Sequence, residues 1–232
     1  IDIQNPLALM TSNFSKAPIY AKLKSNFFNI DEWMPAETDS LELMESSPQT
    51  WITKSNLNLE AEIDKIQFKD YNLKNLKSNL NYKHDSLSLF SARMNLNQSD
   101  LNITGILSHP YEWAQNNGVL SGNLNIGSDK FLVDPWIADT SNEDAAGMNV
   151  KNLPERTDLT LNATIKTTLY NKYSLQDLET KINLVNSNLE IENGTAKIFG
   201  GQAKVSGVYN EFRANPEFNF KVDLIKLDIA SF

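Results

Sequence analysis

The two histidines, His84 and His109, are the natural starting points for a search for chemistry, and neither leads far. His84 stands beside Asp85 at a predicted turn and His109 precedes Pro110, with no donor spacing that suggests a metal site. The chain has no cysteine, which excludes disulfide frameworks and thiolate metal sites. Asp39, Glu42 and Glu45 cluster in a Ser- and Pro-containing stretch and read as a solvated charged loop, not as a carboxylate pair for acid/base work. Asn13-Phe14-Ser15, Asn102-Ile103-Thr104, Asn162-Ala163-Thr164 and Asn193-Gly194-Thr195 fit a glycosylation acceptor, as an Asn-rich chain does by chance. Trp33, Trp51, Trp113 and Trp136 suggest a sugar-stacking platform. Trp33 and Trp136, however, recur at one place in an internal repeat, which fits a short helix packed on a sheet edge better. No nucleophile stands with a base and no phosphate loop is present. The expectation is a non-enzymatic protein without metal or cofactor.

The remaining function classes narrow with charge and hydropathy. A net charge of −8 over 232 residues would repel a nucleic-acid backbone or an anionic bilayer surface. Hydrophobic content of 41% with 22% charged residues is that of a folded globular chain, long enough to bury a sizeable core. No apolar run approaches the roughly 18 residues of a spanning helix, and Asp134 interrupts the best candidate, residues 131–138. Ile1-Asp2-Ile3-Gln4 lacks the basic start and apolar block of a signal peptide.

The elements that must carry any function are repeated. The stretch from Leu57 to Leu107 aligns without a gap to the stretch from Leu159 to Tyr209, at an offset of 102 positions. Tyr71, Leu73, Leu76, Leu87 and Gly105 fall on Tyr173, Leu175, Leu178, Leu189 and Gly207, and Leu80, Leu89 and Ile103 fall on Ile182, Ile191 and Val205. Apolar positions hold while polar ones drift, as expected of a repeated unit whose buried face is constrained. A tail motif recurs as well, since Ser25-Asn26-Phe27-Phe28-Asn29-Ile30-Asp31-Glu32-Trp33 matches Ser128-Asp129-Lys130-Phe131-Leu132-Val133-Asp134-Pro135-Trp136, and a weaker copy begins at Lys226. Acidic linkers of similar length follow Trp33 and Trp136 and are the segments expected to be most mobile. Three regions result: 1–54, the tail of a preceding repeat plus linker; 55–156, a complete repeat; and 157–232, a second repeat truncated at its tail. The chain looks like a piece of a longer repeat protein.

Within the repeat the hydrophobic period is two. Leu57, Leu59, Ala61 and Ile63 alternate with Asn58, Glu60 and Glu62, the pattern of a strand with one buried and one solvated face. Reversals are predicted at Lys69-Asp70 and Asn171-Lys172, at His84-Asp85 and Asn186-Ser187, and within 97–100 and 199–202. Asn193-Gly194 alone signals a hairpin, but its counterpart Ser91-Ala92 has no turn chemistry, and the apolar phase shifts by one residue at both places. A β-bulge inside one long strand accounts for both observations. A strand over about 119–126 precedes the tail motif, where Ser128 or Asp129 is expected to cap a short helix carrying Phe131, Leu132 and Trp136. The fold class is all-β and mainly antiparallel: tandem repeats of a roughly five-strand meander with a short helix per repeat, forming a long curved sheet or groove.

The order of Leu153-Pro154-Glu155-Arg156-Thr157-Asp158-Leu159-Thr160-Leu161, Tyr173-Ser174-Leu175-Gln176-Asp177-Leu178, Ile198-Phe199-Gly200-Gly201-Gln202-Ala203-Lys204-Val205-Ser206-Gly207 and residues 218–229 resembles the C-terminal repeats of AsmA-like proteins, relatives of TamB. The first repeat departs from it, with Gln98-Ser99 where the second has Gly200-Gly201. The resemblance implies a Gram-negative envelope protein whose β-rich body lies in the periplasm, tethered to the inner membrane through a segment outside this sequence. It further implies a part in outer-membrane assembly or in phospholipid transport between the membranes along a hydrophobic groove, with acyl chains and other envelope proteins as partners, and no catalytic residues.

On that reading the groove is lined in the first repeat by Leu57, Leu59, Ile63, Leu80, Leu89, Leu101 and Ile103, and in the second by Leu159, Leu161, Ile165, Ile182, Ile191, Ala203 and Val205. Two other readings share the alternation: a structural periplasmic spacer whose apolar stripe is only core, and a carbohydrate- or protein-binding β-sandwich.

Overall fold

The computed structural model describes residues 2–4, 18–30, 32, 56–68, 71–136, 153–210 and 217–228. The Asp39, Glu42 and Glu45 cluster, Trp33, Trp51 and the Lys69-Asp70 turn lie outside these residues. Thirteen strands run through the described residues. They are β1 (Asp2–Gln4), β2 (Ile19–Ser25), β3 (Phe28–Asn29), β4 (Asn56–Phe68), β5 (Tyr71–Lys83), β6 (Ser86–Leu96), β7 (Ser99–Ser108), β8 (Leu120–Leu132), β9 (Thr157–Tyr170), β10 (Tyr173–Val185), β11 (Asn188–Ile198), β12 (Gly201–Asn210) and β13 (Glu217–Ile225). Among the described residues helix is confined to short pieces: α1 (Pro110–Ala114), a 3-10 turn at Asp134–Trp136, and Glu32. The chain is all-β and mainly antiparallel.

Two compact units emerge, residues 1–96 with 103–121 and residues 97–102 with 122–232, so that β7 is divided between them, as is β8 after its first two residues. Strand order within each follows chain order: β1-β2-β4-β5-β6-β7 in the first, with β3 beside β4, and β7-β8-β9-β10-β11-β12-β13 in the second. These units are a different partition from the sequence repeats.

The repeats share one local construction. Two-residue turns with both φ angles positive close the hairpins at His84-Asp85 and Asn97-Gln98, and again 102 positions on at Asn186-Ser187 and Phe199-Gly200. Such turns match the right-handed twist of the flanking strands, and Asn, Asp and Gly tolerate them best. The pairing repeats too. Leu59 pairs with Leu80 and Leu80 with Leu89; correspondingly Leu161 pairs with Ile182 and Ile182 with Ile191.

The expected bulge is present in both repeats and sits one residue earlier than the phase shift places it. Ser91 opposes Asn79 and Leu89 opposes Leu80, leaving Phe90 as the extra residue; Asn193 opposes Lys181 and Ile191 opposes Ile182, leaving Glu192. β6 and β11 run unbroken through it, so Asn193-Gly194 is not a hairpin. A second irregularity on β5 and β10, between Lys74 and Lys77 and between Gln176 and Glu179, is absent from the sequence reading. There Asn75 and its counterpart Asp177 adopt φ of 55° and 52°.

Three features depart from the expected meander. First, β2 pairs with β4 in parallel, Ile19 opposite Leu57 through Ser25 opposite Ile63. In the second unit Asn162 bonds Asn123 and Asn125, Lys166 pairs with Asp129, and the Val133 N–H donates to the Leu169 carbonyl at 2.9 Å, contacts that advance together along β8 and β9 as parallel strands require. Ile30 makes the same bond to Gln67, also at 2.9 Å. A parallel return needs a connection of a dozen residues or more, which explains why a long linker follows each tail motif. Second, Ser128 and Asp129 do not cap a helix, because β8 continues to Leu132. The Asp100 carboxylate accepts the N–H groups of Asp129 (2.9 Å) and Lys130 (2.7 Å) from across the sheet, and the Ser99 hydroxyl accepts that of Leu132 at 2.9 Å.

Third, α1 forms where no helix was expected. Pro110 occupies its first turn, and the buried Asp85 carboxylate accepts the N–H groups of Tyr111 (3.0 Å) and Glu112 (3.4 Å) as well as the Tyr82 hydroxyl (2.9 Å). Asp85 thus supplies the cap that the residue at the helix start does not. Burial, reinforced by the bond to Asp85, pushes the Tyr82 hydroxyl pKa well above its usual value.

Candidate functional site

Cross-strand partners share a face of a sheet, so the register assigns every predicted groove residue on a described pairing. In the first unit one face carries the row Ala21, Leu59, Leu80, Leu89 across β2, β4, β5 and β6, with Leu57 beside Tyr82 and Ile63 beside Leu76. In the second, Leu161, Ile182, Ile191, Gly207 and Phe220 form a row across β9 to β13. Leu159, Ile165, Ala203 and Val205 lie on the same face, through partners Leu184, Leu178, Ala196 and Gly194. Leu101 and Ile103 alternate along β7 in phase with their counterparts Ala203 and Val205.

These positions fall into two kinds. Ile63 (4% exposed), Ile165 (6%), Leu101 (8%) and Leu159 (8%) are buried. Leu57, Leu59, Leu80, Leu89 and Ile103, and Leu161, Ile182, Ile191, Ala203 and Val205, are only half-buried. In the first unit the buried end is a cluster of Ala61, Ile63 and Ile66 with Leu23, Phe28, Ile30, Leu73 and Leu76 packed against it. Within each unit, among the described residues, every extensive contact between elements joins neighbours in the strand order. Packing against adjacent strands therefore contributes to burying these side chains.

β12 and β13 extend this face beyond the predicted set. Tyr209 is 2% exposed with its ring 4.9 Å from that of Phe218, and Phe218, Phe220, Val222 and Leu224 all remain exposed. The period of two in β13 is the signal that could have found them. Gly207 belongs to this row because a Cβ there would meet the Asn219 carbonyl and the Phe220 ring, so the aromatic side chain lies over the bare backbone. Thr180, between Ala163 and Gly194, is a polar residue on this face, as is its counterpart Ser78 between Ala61 and Ala92, and the Thr180 hydroxyl is buried without a hydrogen-bond partner.

The opposite face is ionic and amide-rich. Lys22 pairs with Glu60 and Lys24 with Glu62, each at 2.8 Å. Asn81 bonds Asn56 (2.9 Å) and Asn58 (3.1 Å), and Lys181 and Asn183 both bond Glu192 at 2.8 Å. The Lys24 ammonium holds Glu62 below the usual carboxylate range, and Lys181, then Asn183, do the same for Glu192. At Asp100 partial burial pushes the carboxyl up, but the N–H groups of Asp129 and Lys130 and the Ser128 hydroxyl outweigh it and hold the pKa low.

Exposed His84 and His109 stand apart from these rows. Among the described residues no group of three or more His, Asp or Glu side chains converges on a metal-sized site. No helix among the described residues is long and apolar enough to cross a membrane. Trp113 lies on α1, and Trp136 ends the 3-10 turn after β8. No family model, no curated protein and no solved structure matches this chain.

Proposed function

We propose that the chain is a non-enzymatic β-groove module, of the kind its sequence resembles in AsmA-like proteins, which shields phospholipid acyl chains between the inner and outer membranes of a Gram-negative envelope. The observation that carries this reading is the apolar row Leu161, Ile182, Ile191, Gly207 and Phe220, half-buried as far as Gly207 and exposed at Phe220. At about 4.8 Å per strand spacing it extends roughly 19 Å across five strands, longer than one acyl layer of about 15 Å, half a bilayer's hydrocarbon core. An acyl chain laid on the row would remove apolar surface from water at about 25 cal/mol per Å².

The polarity of the two faces supports the same reading. Ion pairs and amides on the opposite face favour water there, and the net charge of −8 does not favour lying flat on an anionic membrane. An envelope location, an anchor outside this sequence and envelope-protein partners belong to the proposal. Its test is mass spectrometry of lipid extracts from the chain purified without detergent. Phospholipid bound in near-stoichiometric amount is the expected result, and a lipid-free, fully folded protein points to a spacer.

A further inference from the structure

The polar face of the first unit carries two aromatic rings that the fold does not need. Tyr20 on β2 is 52% exposed and Phe90, the bulge residue of β6, is 62% exposed. They flank a shallow depression of about 440 Å³ whose other side chains on that face are Lys22, Asn58, Glu60 and Asn79. The register places these residues together: Tyr20 opposes Asn58, Lys22 opposes Glu60, and Glu60 opposes Asn79. The bulge explains why Phe90 is here. An extra residue opposite the Asn79 step leaves both Phe90 and Ser91 on the side of Asn79, as Glu192 lies on the side of Lys181 in the second repeat.

Comparison of the two repeats separates architecture from ligand chemistry. The position of Phe90 holds Glu192 in the second repeat, and that of Tyr20, 103 positions on, holds Asn123. Both replacements are absorbed into cross-strand bonds, Glu192 with Lys181 and Asn183, and Asn123 with Asn162. The same backbone is therefore complete with polar residues at these sites, while in the first unit two large rings stand in water. An exposed ring face beside amides is a surface for the C–H face of a pyranose, whose hydroxyls the amides and the ion pair bond.

We propose that this depression binds an uncharged, hydroxyl-rich oligosaccharide, with Tyr20 and Phe90 stacking on sugar rings and Asn58, Asn79 and Glu60 bonding hydroxyls. Three strand spacings separate β2 from β6, so the rings stand roughly 14 Å apart, which calls for a chain of sugars and not a monosaccharide. The ion pair of Lys22 and Glu60 cancels its own charge at 2.8 Å, so no ionic ligand is matched. A peptide adding as a strand has no purchase, because β4 and β5 at the centre of the site have both edges paired. The site lies on the face opposite the apolar rows, so it stands or falls apart from the lipid reading.

The test titrates the purified chain with cellohexaose, maltohexaose and the β-1,4-linked hexamer of N-acetylglucosamine, by calorimetry and by amide shifts in NMR. Tyr20→Asn and Phe90→Glu introduce the residues that the second repeat carries at these positions, so both variants should melt within a few degrees of the parent. At least one hexasaccharide should bind, each variant should weaken it tenfold or more, and Phe90→Tyr should retain it within about twofold. Absence of binding by all three overturns the proposal, as does binding that survives both polar variants. Capture of a hexaproline peptide through the same two rings, with no sugar bound, assigns the site to a protein partner and also overturns it.

Discussion

Placing a carboxylate at two positions of one apolar face should give opposite outcomes. Ile165 is 6% exposed, while Ile182, on the same face of the neighbouring strand, is half-buried in the row that an acyl chain is proposed to cover. Ile165→Asp forfeits about 1.5–3 kcal/mol of side-chain burial and adds the cost of an unpaired polar or ionised group in an apolar site. A loss of at least about 4 kcal/mol is expected, most of the stability of an ordinary domain. Ile182→Asp keeps its carboxylate in water when no lipid is bound and should cost the fold only about 1 kcal/mol, yet it opposes an acyl chain with a charge that must be desolvated, at several kcal/mol. Urea unfolding measures the first effect and crosslinking to a photoactivatable phospholipid the second. The reasoning is refuted if Ile182→Asp unfolds as readily as Ile165→Asp, because the row is then closed core. It is refuted equally if Ile182→Asp folds and still crosslinks at the parental level.

Asp100→Asn should lower stability at neutral pH by about 1 kcal/mol, since three donors lose a charged acceptor at a partly solvated site. Its folded pKa lies below the ordinary value near 4, so its stabilisation is present above that pH and lost as pH falls through the folded value. The variant should therefore show a flatter acid limb in stability measured below about pH 4 than the parent does, and an unchanged limb would remove Asp100 from that role. Thr180→Val should raise the melting temperature by about 2–4 °C, because it replaces a buried hydroxyl without a partner by a methyl of similar shape. Gly207→Val should cost more than about 2 kcal/mol in chemical denaturation, given a Cβ position that overlaps the Asn219 carbonyl and the Phe220 ring.

Period-two alternation made the strands and their faces legible, because a residue's parity decides which side of a sheet it occupies. The repeat added what a single copy lacks: with Ser91-Ala92 aligned to Asn193-Gly194, a hairpin signal became a bulge, and the structure moves it by only one residue to Phe90 and Glu192. The parallel steps from β2 to β4 and from β8 to β9 were not legible, since alternation is the same in either strand direction. α1 was missed because its cap comes from Asp85, 26 positions before Tyr111. Ser128 and Asp129 have the residue types of a helix start, but Asp100 engages their neighbourhood from another strand, and pairing prevails over local propensity. Burial was the least legible property: Ile63 and Leu59 occupy one face and one alternation, yet Ile63 is buried while Leu59, packed against the same cluster, is only half-buried.

Photocrosslinking in intact Gram-negative cells tests the lipid path most directly, with a benzophenone amino acid at Leu59, Leu80, Leu161 or Ile182 on the apolar face and at Asn79 or Asn183 on the polar face. Phospholipid adducts at the four apolar positions and none at the two polar ones are the predicted result. Adducts equally frequent on both faces, or absent from all six positions in a folded protein, would contradict a lipid path along this sheet.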